Sequence, residues 1–458
     1  MINFKNSRKK FKAQHLVLIL ISIQFSCLTY LYLKNPIRTP VTDDWLFLGI
    51  GTHETSLLRV DSFELINGHQ QFLVKFLVWA VAFLPGIYFS YIWYLNAAVA
   101  FLGIYLLISS QIYLLQKRIS FRRVLIIVFI LCNFKPLHLY MSLTGTGLCL
   151  TMLFFGIYYY ATNKMPNSSS RAVKMICAFL APFAGGFGIS LTLAHLVEMI
   201  FSSSPNYSSK VFKKKILEVL VPLLGLTISY ILPTIFNIFN PRSPENSSSK
   251  LTNIFDLIKH PARAILFIFG LIGSALTPSS KFDSWLPVIL GALVFVLIFW
   301  IFLLAFTLNQ FTQIIRLNKT PFLGALIFVF MLVFFRGLGE KGSLNEAVAP
   351  RYVMGTSLLI ASFLVLILER ENAKFKVRVP LSILLVVLAC SLSGLKTGLE
   401  WLSVRSLQTT ALYSCIESHG ATPDSCLNVA RPIEEGDSSD EATSSDLKEL
   451  SKYLFELR

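Results

Sequence analysis

Asp43 and Asp44 are adjacent, are followed at once by Trp45, Leu46 and Phe47, and stand just after the first long apolar run of the chain. The loop they occupy, about 34–71, also holds His53, Glu54, Asp61, Glu64, Asn67 and His69, the densest gathering of acid–base groups in the sequence. Much later, residues 336–355 bring Arg336, Glu340, Lys341, Glu346, Arg351 and Tyr352 to the edge of another apolar run. A carboxylate or imidazole in one loop and guanidinium groups in another are what displacement of a phosphate leaving group requires. A base takes the acceptor proton while fixed cations hold the charge left on the phosphate. Asp43, Asp44 and His69 are the catalytic candidates; Arg351, Tyr352, Arg336, Asn67 and Trp45 are the substrate-binding ones. Each also has a plainer reading. An Asp ahead of WLFLGI caps a helix, and Trp45, Arg351 and Tyr352 suit anchoring and snorkelling at a membrane surface.

These loops must be held by apolar segments. Of 458 residues, 54% are hydrophobic and only 14% charged, which predicts an all-α polytopic membrane protein and excludes a soluble multidomain enzyme. The net charge of +16 reflects topology, because Lys and Arg gather in short connectors and no pattern of basic and stacking residues points to nucleic acid. Lys5, Arg8, Lys9, Lys10 and Lys12 precede the first span, about 15–33, placing the N-terminus in the cytoplasm with no cleavage site. Further basic clusters fall at 117–123, 164–174, 210–215, 316–319 and 370–378. Taking each as cytoplasmic leaves an odd number of crossings between the DDW loop and Lys117. The stretch 72–84, ending at Pro85-Gly86, therefore lies along the outer interface, and the longer 91–115 crosses. The other spans fall near 122–138, 143–161, 172–185, 187–202, 216–238, 285–307, 321–335, 352–369 and 379–395, while 262–277 fails parity and reads as re-entrant or interfacial. About eleven crossings result, with the C-terminus outside. The chain divides into a membrane domain, 1–396, with its first outer loop at 34–90, and a small extracytoplasmic tail, 397–458. All nine aspartates lie outside the spans.

Read together, the motifs form an ordered series: Asp43-Asp44-Trp45, Asn67-Gly68-His69-Gln70 opening the interfacial helix, Arg336-Gly337-Leu338-Gly339, and Pro350-Arg351-Tyr352. Lys135-Pro136-Leu137-His138 and Gly185-Gly186-Phe187-Gly188 add fainter matches. In kind and order the series resembles a family of bacterial polytopic membrane proteins similar to the GT-C superfamily of glycosyltransferases. The resemblance implies an inverting transfer from a polyprenyl-phosphate sugar to a glycan, lipid or protein acceptor, at the extracytoplasmic face of a bacterial inner membrane. It implies Asp43 or Asp44 as the base, and the donor phosphate near Arg351 and Arg336. The family element reads Asn-Glu-His-Arg, whereas Gly68 and Gln70 stand here in place of the acid and the base. Glu64 or Lys75 substitutes for them, specificity is altered, or transfer is lost. No cofactor is called for, although paired acids are compatible with a divalent cation.

A rival reading is a transporter or flippase of a lipid-linked glycan or anionic lipid, which needs polar residues within the spans. His195 and Glu198, three residues apart on one helical face, are the best candidates; they serve a proton path or sit solvated at the cytoplasmic interface. No internal repeat supports transport. Cys27, Cys132, Cys149, Cys177 and Cys390 lie in apolar segments and read as inert. Cys415 and Cys426 flank SHGATPDS in the outer tail, where an oxidising compartment predicts a disulfide, and the acidic, Ser-rich segment after Pro432 leads to a short final helix.

Overall fold

The structure, a computed structural model, describes residues 4–34, 47–52, 71–84, 88–115, 121–133, 135, 140, 142–201, 209–231, 233, 260–277, 283–307, 320–336, 344–349, 352–370, 381–417 and 426. Its regular elements among the described residues are all helical. In chain order they are α1 (Phe4–Lys34), α2 (Leu48–Gly51), α3 (Phe72–Val81), α4 (Tyr88–Leu115), α5 (Phe121–Leu131), α6 (Leu143–Lys164) and α7 (Asn167–Leu180). There follow α8 (Gly186–Phe201), α9 (Ser209–Leu226), α10 (Pro261–Ser274), α11 (Leu286–Thr307), α12 (Phe322–Arg336), α13 (Leu344–Ala347), α14 (Val353–Arg370) and α15 (Leu381–Glu417).

The central pair is α4 with α6, and glycine sets how near they come. A Cβ on Gly103 would lie 2.6 Å from the Met152 carbonyl oxygen, and one on Gly156 would lie 2.4 Å from that of Gly103. The two backbones therefore touch directly, as small residues allow between apolar helices. Around this pair, α1 covers α4 through Tyr32 against Trp93 (4.6 Å between rings) and Phe25 against Phe101 (6.0 Å). On the other side α7 and α8 close against α6 and each other, and α9 closes against α7 and α8. The path from α7 to α8 bends sharply: a 3₁₀ turn, Ala181–Phe183, leads to Gly185, whose φ of +144° favours glycine, and Gly188 leaves no room for a Cβ beside the Ala181 carbonyl.

Helix α10 packs on α12, α13 and α14 and forms a hairpin with α11. Cβ atoms on Gly273 and Gly291 would meet backbone oxygens of Pro287 and Phe269 at 1.8 and 1.7 Å, so this hairpin too is in backbone contact. Much of α11 stays bare: Leu286, Ile289, Leu293, Val296, Leu297, Phe299, Trp300 and Leu303 are exposed. Similar rows, Leu18, Ile19 and Ile23 on α1 and Leu217, Leu220 and Leu224 on α9, make the exterior far more apolar than water tolerates.

Two helical stretches, Ala13–Lys34 and Tyr91–Leu115, are long and apolar enough to cross a membrane. Several other stretches expected to cross are shorter apolar helical stretches of 10–17 residues, among them Gly186–Ile200, Phe322–Val333 and Val353–Ile367. Several expected boundaries move: α7 runs over Asn167–Leu180 rather than 172–185, and α9 begins at Ser209 rather than 216. Helix α5 stops at Leu131, well short of 138, because the Asn133 carboxamide oxygen accepts from the Lys135 backbone N–H (2.9 Å) and turns the chain. Helix α15, expected to end at 395, continues to Glu417; its 37 residues reach about 55 Å.

Gly291→Ala tests the α10–α11 contact. The added methyl points at a backbone oxygen that cannot step aside, so overpacking of about 1–3 kcal/mol outweighs alanine's roughly 1 kcal/mol gain in helix propensity. The midpoint of thermal unfolding in detergent falls; an unchanged or higher midpoint would show that the two helices separate freely.

Candidate functional site

Most of the candidates fall outside the described residues: Asp43, Asp44, Trp45, Asn67, His69 and Arg351, together with Gly68, Gln70 and Glu64. Arg336 is the last residue of α12, with its side chain outside the described part. Tyr352 is described and buried at the start of α14, its backbone N–H bonded to the Ala349 carbonyl (3.2 Å).

What the structure does place are the helices into which the two first-loop motifs run. Helix α2 begins four residues after Asp44, and α3 begins three residues after His69. The two short helices pack on each other, and α3 packs also on α4 and α6. Phe47, Leu48 and Ile50 on one side, and Gln71, Val74, Lys75 and Val78 on the other, are buried. The helices that follow the DDW and Asn-Gly-His-Gln segments therefore share one wall. The resemblance-based elements of the second loop are not brought to that wall by any described contact.

Two buried polar clusters lie among the described residues. The first gathers on the last turn of α10. Lys135 Nζ donates to the carbonyls of Ser274 (2.9 Å) and Thr277 (3.3 Å), Asn133 Nδ2 donates to Ala275 (3.2 Å), and Cys390 Sγ donates to Leu276 (2.9 Å). Four consecutive carbonyls at and just beyond the C-terminus of α10 are thus met by side chains from the end of α5 and from α15. The ammonium also complements the negative end of the helix dipole. Sequence reading reached Lys135 only as a faint motif match; no local pattern announces its partners, which lie about 140 residues away.

The second cluster lies among α6, α7, α8 and α9. Lys174 Nζ pairs with Glu198 Oε1, and Tyr158 Oη lies 2.6 Å from Glu198 Oε2 and 2.9 Å from His195 Nδ1. His195 Nε2 faces the Glu218 carbonyl at 3.0 Å, and the Glu218 carboxylate is 3.8 Å from Arg171 at the rim. Tyr158, Lys174 and His195 are buried, so the solvated alternative for His195 is excluded. Lys174, counted from sequence with the basic connector 164–174, is instead an internal ion-pair partner.

Cys415 and Cys426 are joined by a disulfide that fastens the chain beyond α15 to its end, and Cys426 is buried. Of the other thiols, Cys132, Cys149 and Cys177 are buried, Cys390 donates to a carbonyl, and Cys27 is exposed on the apolar surface of α1. Among the described residues no group of three or more His, Cys, Asp or Glu side chains is arranged to hold a metal ion. No protein-family model, curated protein or solved structure matches the chain.

Lys135→Met keeps the apolar stem and deletes the ammonium. Each carbonyl left without its donor costs roughly 1–3 kcal/mol. The variant unfolds at lower temperature, and protease cuts between α10 and α11 before it cuts elsewhere. Wild-type resistance at that site would rule out the clamp. For the tail, wild-type protein migrates faster on non-reducing than on reducing gels, and Cys415→Ser abolishes the difference.

Proposed function

We propose that the chain is a multi-pass membrane glycosyltransferase of GT-C type, transferring a sugar from a polyprenyl-phosphate donor to an acceptor hydroxyl at the outer face of a bacterial inner membrane. The observation that carries this reading is the packing of α2 on α3, which converges the segment after Asp43-Asp44-Trp45 with the segment after Asn67-Gly68-His69-Gln70. Two acid–base motifs separated by more than twenty residues thereby leave from one wall, as a shared site needs.

Asp43 or Asp44 removes the acceptor proton as the glycosidic bond forms, with His69 beside it, while Arg351 and Arg336 stabilise the phosphate released from the anomeric carbon. Asn67 and Trp45 orient the sugar, and Tyr352, buried at the start of α14, fixes the backbone from which Arg351 reaches. The bare apolar faces of α1, α9 and α11 are covered by lipid, which lets the donor's polyprenyl chain approach laterally. About eleven crossings, an inner N-terminus and an outer C-terminus belong to the same proposal. Where α15 leaves the bilayer core, its remaining turns carry the disulfide-bonded tail outward. With no second acid in the Asn-Gly-His-Gln element, the base function falls on the DDW pair.

Asp43→Asn, Asp44→Asn and the double variant, assayed in membranes for transfer from radiolabelled polyprenyl-phosphate sugars, test the assignment. At least one single variant loses on the order of 10²–10⁴-fold in rate, the range expected for removing a positioned base. Wild-type rates in all three would sink it.

A further inference from the structure

The buried cluster on α6 to α9 has a proton count that its hydrogen bonds fix. Each of two contacts, Glu198 Oε2 to Tyr158 Oη at 2.6 Å and Tyr158 Oη to His195 Nδ1 at 2.9 Å, needs one hydrogen. The Tyr158 hydroxyl supplies one. The Glu218 carbonyl has none to give, so the hydrogen of a neutral His195 ring resides on Nε2 and serves the 3.0 Å bond to that carbonyl. One hydrogen is still required. It is present either as Nδ1–H, giving an imidazolium next to a carboxylate, or as Oε2–H, giving a carboxylic acid next to a neutral ring. In both cases the cluster holds one proton more than carboxylate, phenol and neutral imidazole carry separately.

We propose that Glu198, Tyr158 and His195 form a proton-binding site, with one proton from solvent shared along the carboxylate–phenol–imidazole chain. Its immediate charged neighbour is Lys174, paired with Glu198 Oε1 and lying 5.1 Å from the centre of the Tyr158 ring. The other titratable groups facing it are Tyr159 on α6, Cys177 on α7 and, at the rim, Arg171 with Glu218. Arg171 is more than half exposed, so the rim gives the cluster a route to water.

Losing the proton leaves one hydrogen for two contacts, and one must open. Glu198 and His195 are on α8, Tyr158 is on α6, and the ring's second nitrogen is tied to the backbone of α9. Opening either contact therefore weakens the hold of α6 on α8, so the proton acts as a ligand that joins these two helices. The proposal rests on none of the first-loop motifs.

The test uses full-length protein in detergent micelles, labelled with ¹⁵N-histidine and ¹³C-tyrosine. Among the described residues, His195 and Tyr158, with rings 5.7 Å apart in a T-shaped contact, give the His–Tyr through-space signal. As pH rises while the fold persists, the His195 ring-nitrogen shifts and the Tyr158 Cζ shift move together in one step, and the signal weakens as a contact opens. Shifts that stay constant, or that move in separate steps, overturn the proposal. Glu198→Gln holds the chain with a non-titrating amide, and the joint step disappears; its persistence unchanged in that variant likewise overturns the shared proton. If Glu198→Gln does not accumulate, Tyr158→Phe is read through the histidine signals alone. Without the linking hydroxyl the His195 step moves to a different pH, and the same step at the same pH overturns the site.

Discussion

A helix that ends inside a protein must find donors for its last carbonyls, and the rest of this bundle is arranged around one such end. Helix α10 stops in the interior, and the carbonyls of Ser274, Ala275, Leu276 and Thr277 stand at and just beyond its end, with Ser274, Ala275 and Thr277 buried there. Water is a poor solution at a buried site, and leaving the groups bare costs more than most single side chains contribute. The structure answers with Lys135, Asn133 and Cys390, drawn from the end of α5 and from α15. The joint is reinforced by Ser391, which bonds the Phe129 carbonyl (3.1 Å), and by Gly394, where a Cβ would crowd Asn133 Oδ1 at 2.9 Å. Elements more than 250 residues apart in sequence are thereby locked at one point. A buried ammonium is tolerated there because carbonyl oxygens and a helix dipole replace much of its lost hydration.

That joint also explains what α10 is. Its fourteen residues rise about 21 Å, no less than the fourteen of α7, so length alone does not set it apart from the expected spans. Its partner α11 contacts the rest of the protein chiefly through α10, so the hairpin's position depends on the clamp at its turn and on the glycine contact along its length. Parity of the basic connectors excluded 262–277 as a full span without any knowledge of this arrangement.

How far the sequence foretold the structure depended on whether the signal was local. Apolar runs marked α4, α6, α8, α11, α12 and α14 within a few residues, and the short run before Pro85-Gly86 became the ten-residue α3. The end of α5 was misplaced because apolarity does not govern it: Cys132 continues the apolar run, while the Asn133 side chain captures the Lys135 backbone N–H and breaks the helix. The extension of α15 was missed because apolar density falls after 395. Helical periodicity does not, since Leu402, Thr409 and Leu412 are all fully buried at intervals of seven and three. His195 and Glu198 were visible as an i, i+3 pair, but Tyr158, Lys174 and Glu218 came from three other helices, and only packing could assemble them. The first-loop candidates were legible as residue types; the structure contributes the wall formed by α2 and α3, and the side chains of Asp43, Asp44 and His69 lie outside its described part.

The two buried clusters differ in what they can do, and the difference follows from their hydrogen bonds. At the α10 terminus the side-chain donors Lys135, Asn133 and Cys390 are received by backbone carbonyls, which neither gain nor lose a proton, and the cluster serves as a joint. In the α6 to α9 cluster the acceptors include a carboxylate, a phenol and an imidazole, each of which can hold or release a hydrogen. A network built from such groups has more than one proton arrangement at nearly the same geometry. The joint at the α10 terminus and the proton-dependent contacts of the second cluster therefore both pair buried polar groups, with chemically different partners.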